Sequence, residues 1–149
     1  MNPTLPPLPM MGRPLPNVIT AGQPSPEDFQ ALKAAGVTHV INLRPATEDA
    51  GFDQAALMQK LGLDYMVIPV AGADDLNADT ARALDAAMAK AGETPVLVHC
   101  ASANRVGALL ALRAAWLMGT PVDQALALGR AGGLTRMEPM VAQLLQRGP

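Results

Sequence analysis

Pro95-Val-Leu-Val-His-Cys-Ala-Ser-Ala-Asn-Arg-Val-Gly107 is the stretch whose reading decides the fold. Val96, Leu97 and Val98 form a short β-branched and apolar run, which predicts a strand buried on both faces. A turn of small residues follows: Cys100, Ala101, Ser102, Ala103 and Asn104. Arg105 comes next, and Val106 to Met118 reads as a long apolar helix. One thiol thus stands at a strand end, five residues before an arginine, with a helix N-terminus beneath both.

Successive backbone N–H groups in a tight turn converge into an anion-binding nest. The first N–H groups of a helix are unpaired and carry the positive end of its dipole. A cysteine there is expected to ionise readily and serve as a nucleophile. Arg105 brings a planar, two-pronged donor to the same point. The loop therefore suits a dianionic tetrahedral oxyanion held against a sulfur nucleophile, which is phosphoryl-transfer chemistry. The chain has one Cys, two His and eight Arg. Chance placement of a His before the Cys and an Arg five residues beyond it has a probability on the order of 0.0007.

His99-Cys100, four residues, then Arg105 resembles the signature loop of the cysteine-dependent protein tyrosine and dual-specificity phosphatase superfamily. Gly22-Gln-Pro24 and Ile41-Asn-Leu-Arg-Pro45 narrow the resemblance to the bacterial beta-lactamase-hydrolase-like, rhodanese-related phosphatase group, over about Asn17 to Leu145. The resemblance implies that Cys100 forms a cysteinyl-phosphate and that His99 orients the loop. It also implies that Arg105 binds the equatorial oxygens. Ala101, Ser102, Ala103, Asn104, Val106 and Gly107 would complete the phosphate loop. Asp74 or Asp75 would protonate the leaving oxygen, the alternative being simple charge at a helix start. Arg44 and Arg136 would add positive field at the mouth or stand as solvated surface groups. The sequence departs from the family twice: Ala103 stands where glycine is usual, and Val106 where serine or threonine is usual.

The implied substrate is a phosphorylated protein or a small phosphomonoester. With no lysine in the loop, phosphoinositides are disfavoured. Two other readings compete: a phosphate-binding module without turnover, and a rhodanese-like sulfurtransferase, whose loops usually have four residues between Cys and Arg. Two histidines and one cysteine do not make a zinc site, and no cofactor is implied.

Length and composition agree with one domain. The chain has 149 residues, long enough for a real core. Half are hydrophobic but only 3% aromatic, so Ala, Leu, Val and Met must fill the interior. The net charge of −2, with no basic block, excludes an obvious nucleic-acid surface. No apolar run is long enough to span a membrane. A single cysteine excludes an intramolecular disulfide and points to a reducing, cytoplasmic compartment. Nothing in the sequence sets the oligomeric state.

Residues 1–16 contain six prolines and predict an extended arm, mobile or laid over the domain that fills 17–149. Val18-Ile-Thr20 predicts a first strand. Ser25-Pro26 opens a helix with Phe29 and Leu32 on its buried side. Val37 to Leu43 predicts a second strand, with His39 inside it as a surface or satisfied core residue. A helix over Asp53 to Leu61 precedes a third strand, Asp64 to Val70. Asn77 opens a helix over Ala78 to Ala91, and Gly92 closes it. Helices follow from Thr120-Pro121 and from Thr135-Arg-Met-Glu138, the latter read as a capping box. Trp116 is expected in the core.

Strands alternating with helices predict an α/β fold: a mainly parallel sheet of about four to five strands flanked by helices, dual-specificity-phosphatase-like. In such sheets the ligand crevice lies off the carboxyl ends of the strands. Arg44, Asp74, Asp75 and Cys100 all follow strand ends, so their loops emerge on one edge.

Overall fold

The computed structural model describes residues 5–149; Pro3, counted above in the arm, lies outside them. Five strands form one sheet in the order β1-β2-β5-β3-β4: β1 (Gly12–Leu15), β2 (Val18–Ala21), β3 (His39–Asn42), β4 (Asp64–Val67) and β5 (Val96–His99). β2, β5, β3 and β4 run parallel, and β1 pairs antiparallel with β2. The expected α/β architecture is therefore the observed one, with the thiol-bearing strand at the centre.

β1 was not expected, because it lies in the proline-rich arm. Pro14 is tolerated there because an edge strand has one side free of ladder bonds. The ladder registers Gly12 with Thr20 and Leu15 with Val18, with an irregularity between. Ahead of it the arm lies on the domain. Leu8 is buried, Leu5 packs beside it, and the Gly22 N–H donates to the Pro9 carbonyl at 2.9 Å.

Six helices cover the sheet: α1 (Pro26–Ala34), α2 (Gln54–Leu61), α3 (Ala78–Ala91), α4 (Asn104–Met118), α5 (Val122–Ala131) and α6 (Glu138–Arg147). Local chemistry starts several of them. Ser25 caps α1 through the Asp28 N–H, Asp53 caps α2 through Ala56, and Asn77 caps α3 through Thr80. The capping box expected at Thr135 is absent. The N-cap of α6 is Met137, with no side-chain bond, and Thr135 instead turns its N–H and hydroxyl toward Asn104. Trp116 is only partly buried, packed against the core. No described helix is long and apolar enough to cross a membrane.

The pleat divides the core in two. Val96, Val98 and Cys100 face α3, α4 and α6, in a cluster with Leu84, Leu109 and Val141. Leu97 faces the other way, toward α1 and α2, in a cluster with Phe29, Leu32 and Met58. Side chains alternate along a strand, so adjacent His99 and Cys100 enter opposite halves. His99 meets Phe29 edge-on, with ring centroids 5.9 Å apart. The thiol and its neighbouring imidazole are thereby separated by the sheet itself.

Candidate active site

Cys100 follows β5 immediately, and its N–H donates to the Ala21 carbonyl at 3.3 Å. The loop then crosses Gly22, where a Cβ would stand 2.6 Å from the Ala101 carbonyl oxygen. Only glycine lets the two segments approach so closely, and the Gln23 N–H donates to that carbonyl at 3.1 Å. Ala103 then turns the chain into α4 with φ 67° and ψ −11°, a left-handed conformation that explains why glycine is usual there. Its methyl is accommodated because Gly133 faces it: a Cβ on Gly133 would lie 2.5 Å from the Ala103 Cβ.

The first backbone bond of α4 runs from the Gly107 N–H to the Ala103 carbonyl, 3.0 Å. The N–H groups of Asn104, Arg105 and Val106 are left at the free end of the helix. Gly107 itself is thus not a phosphate ligand. Its N–H is committed, and its missing Cβ admits α5: a Cβ would meet the Leu134 N at 2.2 Å and the Gly129 carbonyl oxygen at 2.4 Å.

A cavity of about 490 Å³ opens above this loop, lined by Ala101, Ser102, Asn104 and Arg105, by Ala71 and Gly72, and by Glu48, Arg136, Met137 and Met140. Cys100 and Val106 are fully buried, below the cavity wall. Asn104 is buried, and its Oδ1 accepts from the Thr135 N–H (2.9 Å), the Thr135 hydroxyl (3.3 Å) and the Met137 N–H (3.4 Å). It therefore ties the segment carrying Arg136 to the loop.

Arg105 is held by a residue the sequence reading missed. Its Nη1 donates to Glu48 Oε2 (2.7 Å) and to the Val70 carbonyl (2.8 Å), and its Nη2 donates to Glu48 Oε1 (2.9 Å). A guanidinium has five N–H donors. Three are committed here, which leaves the Nε–H and one Nη2–H, adjacent on one edge of the fork. That edge matches two oxygens of a phosphoryl group. Glu48, and after it the neighbouring Cys100, raise the Arg105 pKa against the opposing effect of burial. Glu48 is in turn held below its ordinary value by Arg105 foremost, with Arg44 adding to the effect.

Arg44 does not stand at the mouth. It is buried, and it donates to Glu48 (Nε–Oε1, 3.3 Å), to Gln23 Oε1 (2.5 Å) and to the Asp49 carbonyl (2.9 Å). Its charge supports Glu48 from behind. Asp74 and Asp75 lie in a 3-10 turn, Ala73–Asp75, just past the cavity wall at Gly72, and neither lines the cavity. Asp74 is exposed, whereas Asp75 accepts the Ala71 N–H at 2.9 Å. His99 is fully buried and bonded on both ring nitrogens, to the Cys100 carbonyl (Nδ1, 3.2 Å) and to Gln54 Nε2 (Nε2, 2.8 Å). Burial depresses its pKa to about 4, so the ring is neutral.

Glu48 and Gln54 carry no local signal. Each acts across a long separation, 57 residues to Arg105 and 45 to His99.

Residues 14–117 match the family model for the phosphatase-like domain of beta-lactamase hydrolase-like proteins. The beta-lactamase hydrolase-like protein of Agrobacterium fabrum is 38% identical over 96 residues, covering 62% of this chain and 22% of that protein. The chain thus spans less than a third of the length of such relatives. A crystal structure of a DUF442-group protein from Shewanella putrefaciens CN-32 superposes with a TM-score of 0.72 at 29% identity, covering 94% of this chain and 88% of that one. Pseudomonas TpbA shares the fold at a TM-score of 0.68 and 18% identity, covering 99% of this chain and 87% of that one. With a matched segment that contains β2, β5, the thiol loop and most of α4, the chain belongs to the phosphatase-like domain family of the beta-lactamase hydrolase-like proteins.

Proposed function

We propose that the chain hydrolyses phosphotyrosine or another small phosphomonoester through a cysteinyl-phosphate on Cys100. The observation that carries this reading is the uncommitted edge of Arg105, two N–H donors beside the thiol at the free end of α4. TpbA, whose fold the chain shares, has been crystallised with phosphotyrosine. The Cys100 thiolate attacks phosphorus, and the ester oxygen departs with a proton. Asp74 is the proposed donor of that proton, since Asp75 is committed to the Ala71 N–H. Water then attacks the cysteinyl-phosphate, releasing inorganic phosphate and the thiolate. Arg105 and the N–H groups at the start of α4 stabilise the equatorial oxygens in both steps.

Acid quenching during turnover of an aryl phosphate tests this: peptide mass analysis should find one phosphoryl group on Cys100. Asp74→Asn should slow esters with poor leaving groups more than those with good ones, and equal slowing would remove its acid role. The buried apolar Val106, where a hydroxyl is usual, favours a second reading, a phosphate-binding module without turnover. Phosphate binding with no trapped adduct would establish that reading instead.

A further inference from the structure

We propose that Gln23 and Gln54 are positioning residues that relay the donor-only character of Arg44 to His99, fixing the imidazole as the Nδ1–H tautomer that holds the Cys100 carbonyl. The inference deepens the phosphatase reading and rests on it for relevance to catalysis.

The links form one continuous chain. Arg44 Nη1 donates to Gln23 Oε1 at 2.5 Å, Gln23 Nε2 to Gln54 Oε1 at 2.9 Å, and Gln54 Nε2 lies 2.8 Å from His99 Nε2. His99 Nδ1 lies 3.2 Å from the Cys100 carbonyl oxygen. An arginine can only donate, so the Gln23 amide must turn its oxygen to Arg44 and its nitrogen to Gln54. Gln54 must then accept with its oxygen and donate with its nitrogen. His99 Nε2 therefore accepts, and Nδ1 carries the proton, which the Cys100 carbonyl receives.

The opposite tautomer fails at both ends. It would set a Gln23 N–H against the Arg44 guanidinium and a bare Nδ1 against the Cys100 carbonyl. Gln54 and His99 are buried, so no solvent relieves the conflict at the ring, and at the other end Gln23 is half-buried against the buried Arg44. The groups packed on the ring leave one source of charge. α1 supplies Phe29, α2 supplies Gln54, the chain itself supplies Cys100, and Arg44 is the charged group that acts on it. The same Arg44 holds Glu48, and Glu48 holds Arg105. Both ends of the thiol loop thus depend on one polar network, in which Gln23 of Gly22–Pro24 and Arg44 of Ile41–Pro45 are joined by Glu48 and Gln54.

Ring-nitrogen NMR of the ¹⁵N-histidine-labelled full chain tests this, with His39→Gln assigning the two histidines. Wild type should show Nδ1 protonated and Nε2 bare through the neutral range. Arg44→Lys keeps a pure donor and should keep that tautomer, whereas Arg44→Gln, which can also accept, should populate both. Gln54→Glu removes the donor facing Nε2, and should protonate Nε2 and raise the affinity of His99 for a proton at least tenfold. An Nε2–H tautomer in wild type, or no change in folded Arg44→Gln and Gln54→Glu, would overturn the relay. If the tautomers shift as expected while no form turns over aryl phosphates, the relay stands and the phosphatase reading fails.

Discussion

Glu48 grips Arg105 two-on-two, Oε2 lying 2.7 Å from Nη1 and Oε1 2.9 Å from Nη2. The carboxylate commits one edge of the guanidinium and so aims the other. It is backed by Arg44 at 3.3 Å, which helps keep it ionised at the rim of the cavity. An ionised carboxylate is a poor proton donor, so its contribution is to orientation.

Glu48→Gln should therefore lower kcat more than it raises KM on an aryl phosphate. One charge-assisted bond is worth about 1.5–3 kcal/mol, and the partial exposure of Glu48 sets the expectation at the lower end, roughly tenfold in kcat/KM. Steady-state kinetics decide it. Wild-type kcat/KM in the variant would show that Arg105 needs no such support.

Ala103 and Gly133 make a second pair that can be tested by stability alone. Ala103→Gly relieves a left-handed alanine, a gain of about 1–2 kcal/mol. It also loses a buried methyl, about 0.8 kcal/mol, and adds chain entropy to the unfolded state, about 0.5–1 kcal/mol. The terms nearly cancel, so the urea midpoint should barely move. Gly133→Ala has no such compensation: its φ is +113°, and the new Cβ would stand 2.7 Å from the Ala103 carbonyl oxygen as well as 2.5 Å from its Cβ. A loss of about 3 kcal/mol is expected, the scale of overpacking with backbone strain. Equal effects of the two substitutions would mean that this contact relaxes freely.

These pairs mark what the sequence could and could not disclose. The strand-loop-helix around Cys100 was legible because its signals are local: an apolar run, small residues, then helical periodicity. α3 was legible from Asn77 to Gly92 for the same reason. β1 was hidden by Pro14, which excludes a central strand but not an edge. The Thr135 cap failed because Asn104, a residue of the thiol loop itself, competes for Thr135. Arg44 read as a mouth residue because a strand-end arginine ordinarily faces solvent, and only the fold brings Gln23 and Glu48 around it. Long-range polar pairs leave no periodicity to read.

The neutral His99 gives the folded chain a pH dependence of fixed sign. Its pKa falls from the ordinary 6.5 to about 4 on burial, so between those values the unfolded chain binds more protons. Stability from this group is complete above about 6.5 and is lost as pH falls toward about 4. The slope should approach about 1.4 kcal/mol per pH unit within that window. Urea unfolding at stepped pH measures it. A flat profile from pH 6.5 to 4 would mean that the folded chain protonates His99 without penalty.

Val106 sets the last expectation. Turnover needs the thiolate to leave in the second step, and a hydroxyl donating to sulfur lowers that barrier. Val106 cannot donate, and Ser102, which lines the cavity, carries the loop's one hydroxyl. One charge-assisted bond of about 1.5–3 kcal/mol corresponds to about ten- to a hundred-fold in rate. An activated aryl phosphate should therefore release a burst of phenol equal to the enzyme present, followed by a slow steady state. Val106→Thr should raise the steady rate by about that factor and leave the burst rate nearly unchanged. It should also cost about 1–3 kcal/mol of stability, because the side chain is fully buried and the hydroxyl enters an apolar cluster. Stopped-flow release of phenol separates the two steps. A wild type without a burst, and no gain in Val106→Thr, would show that dephosphorylation is not limiting. Ser102→Ala should then produce the burst that wild type lacks.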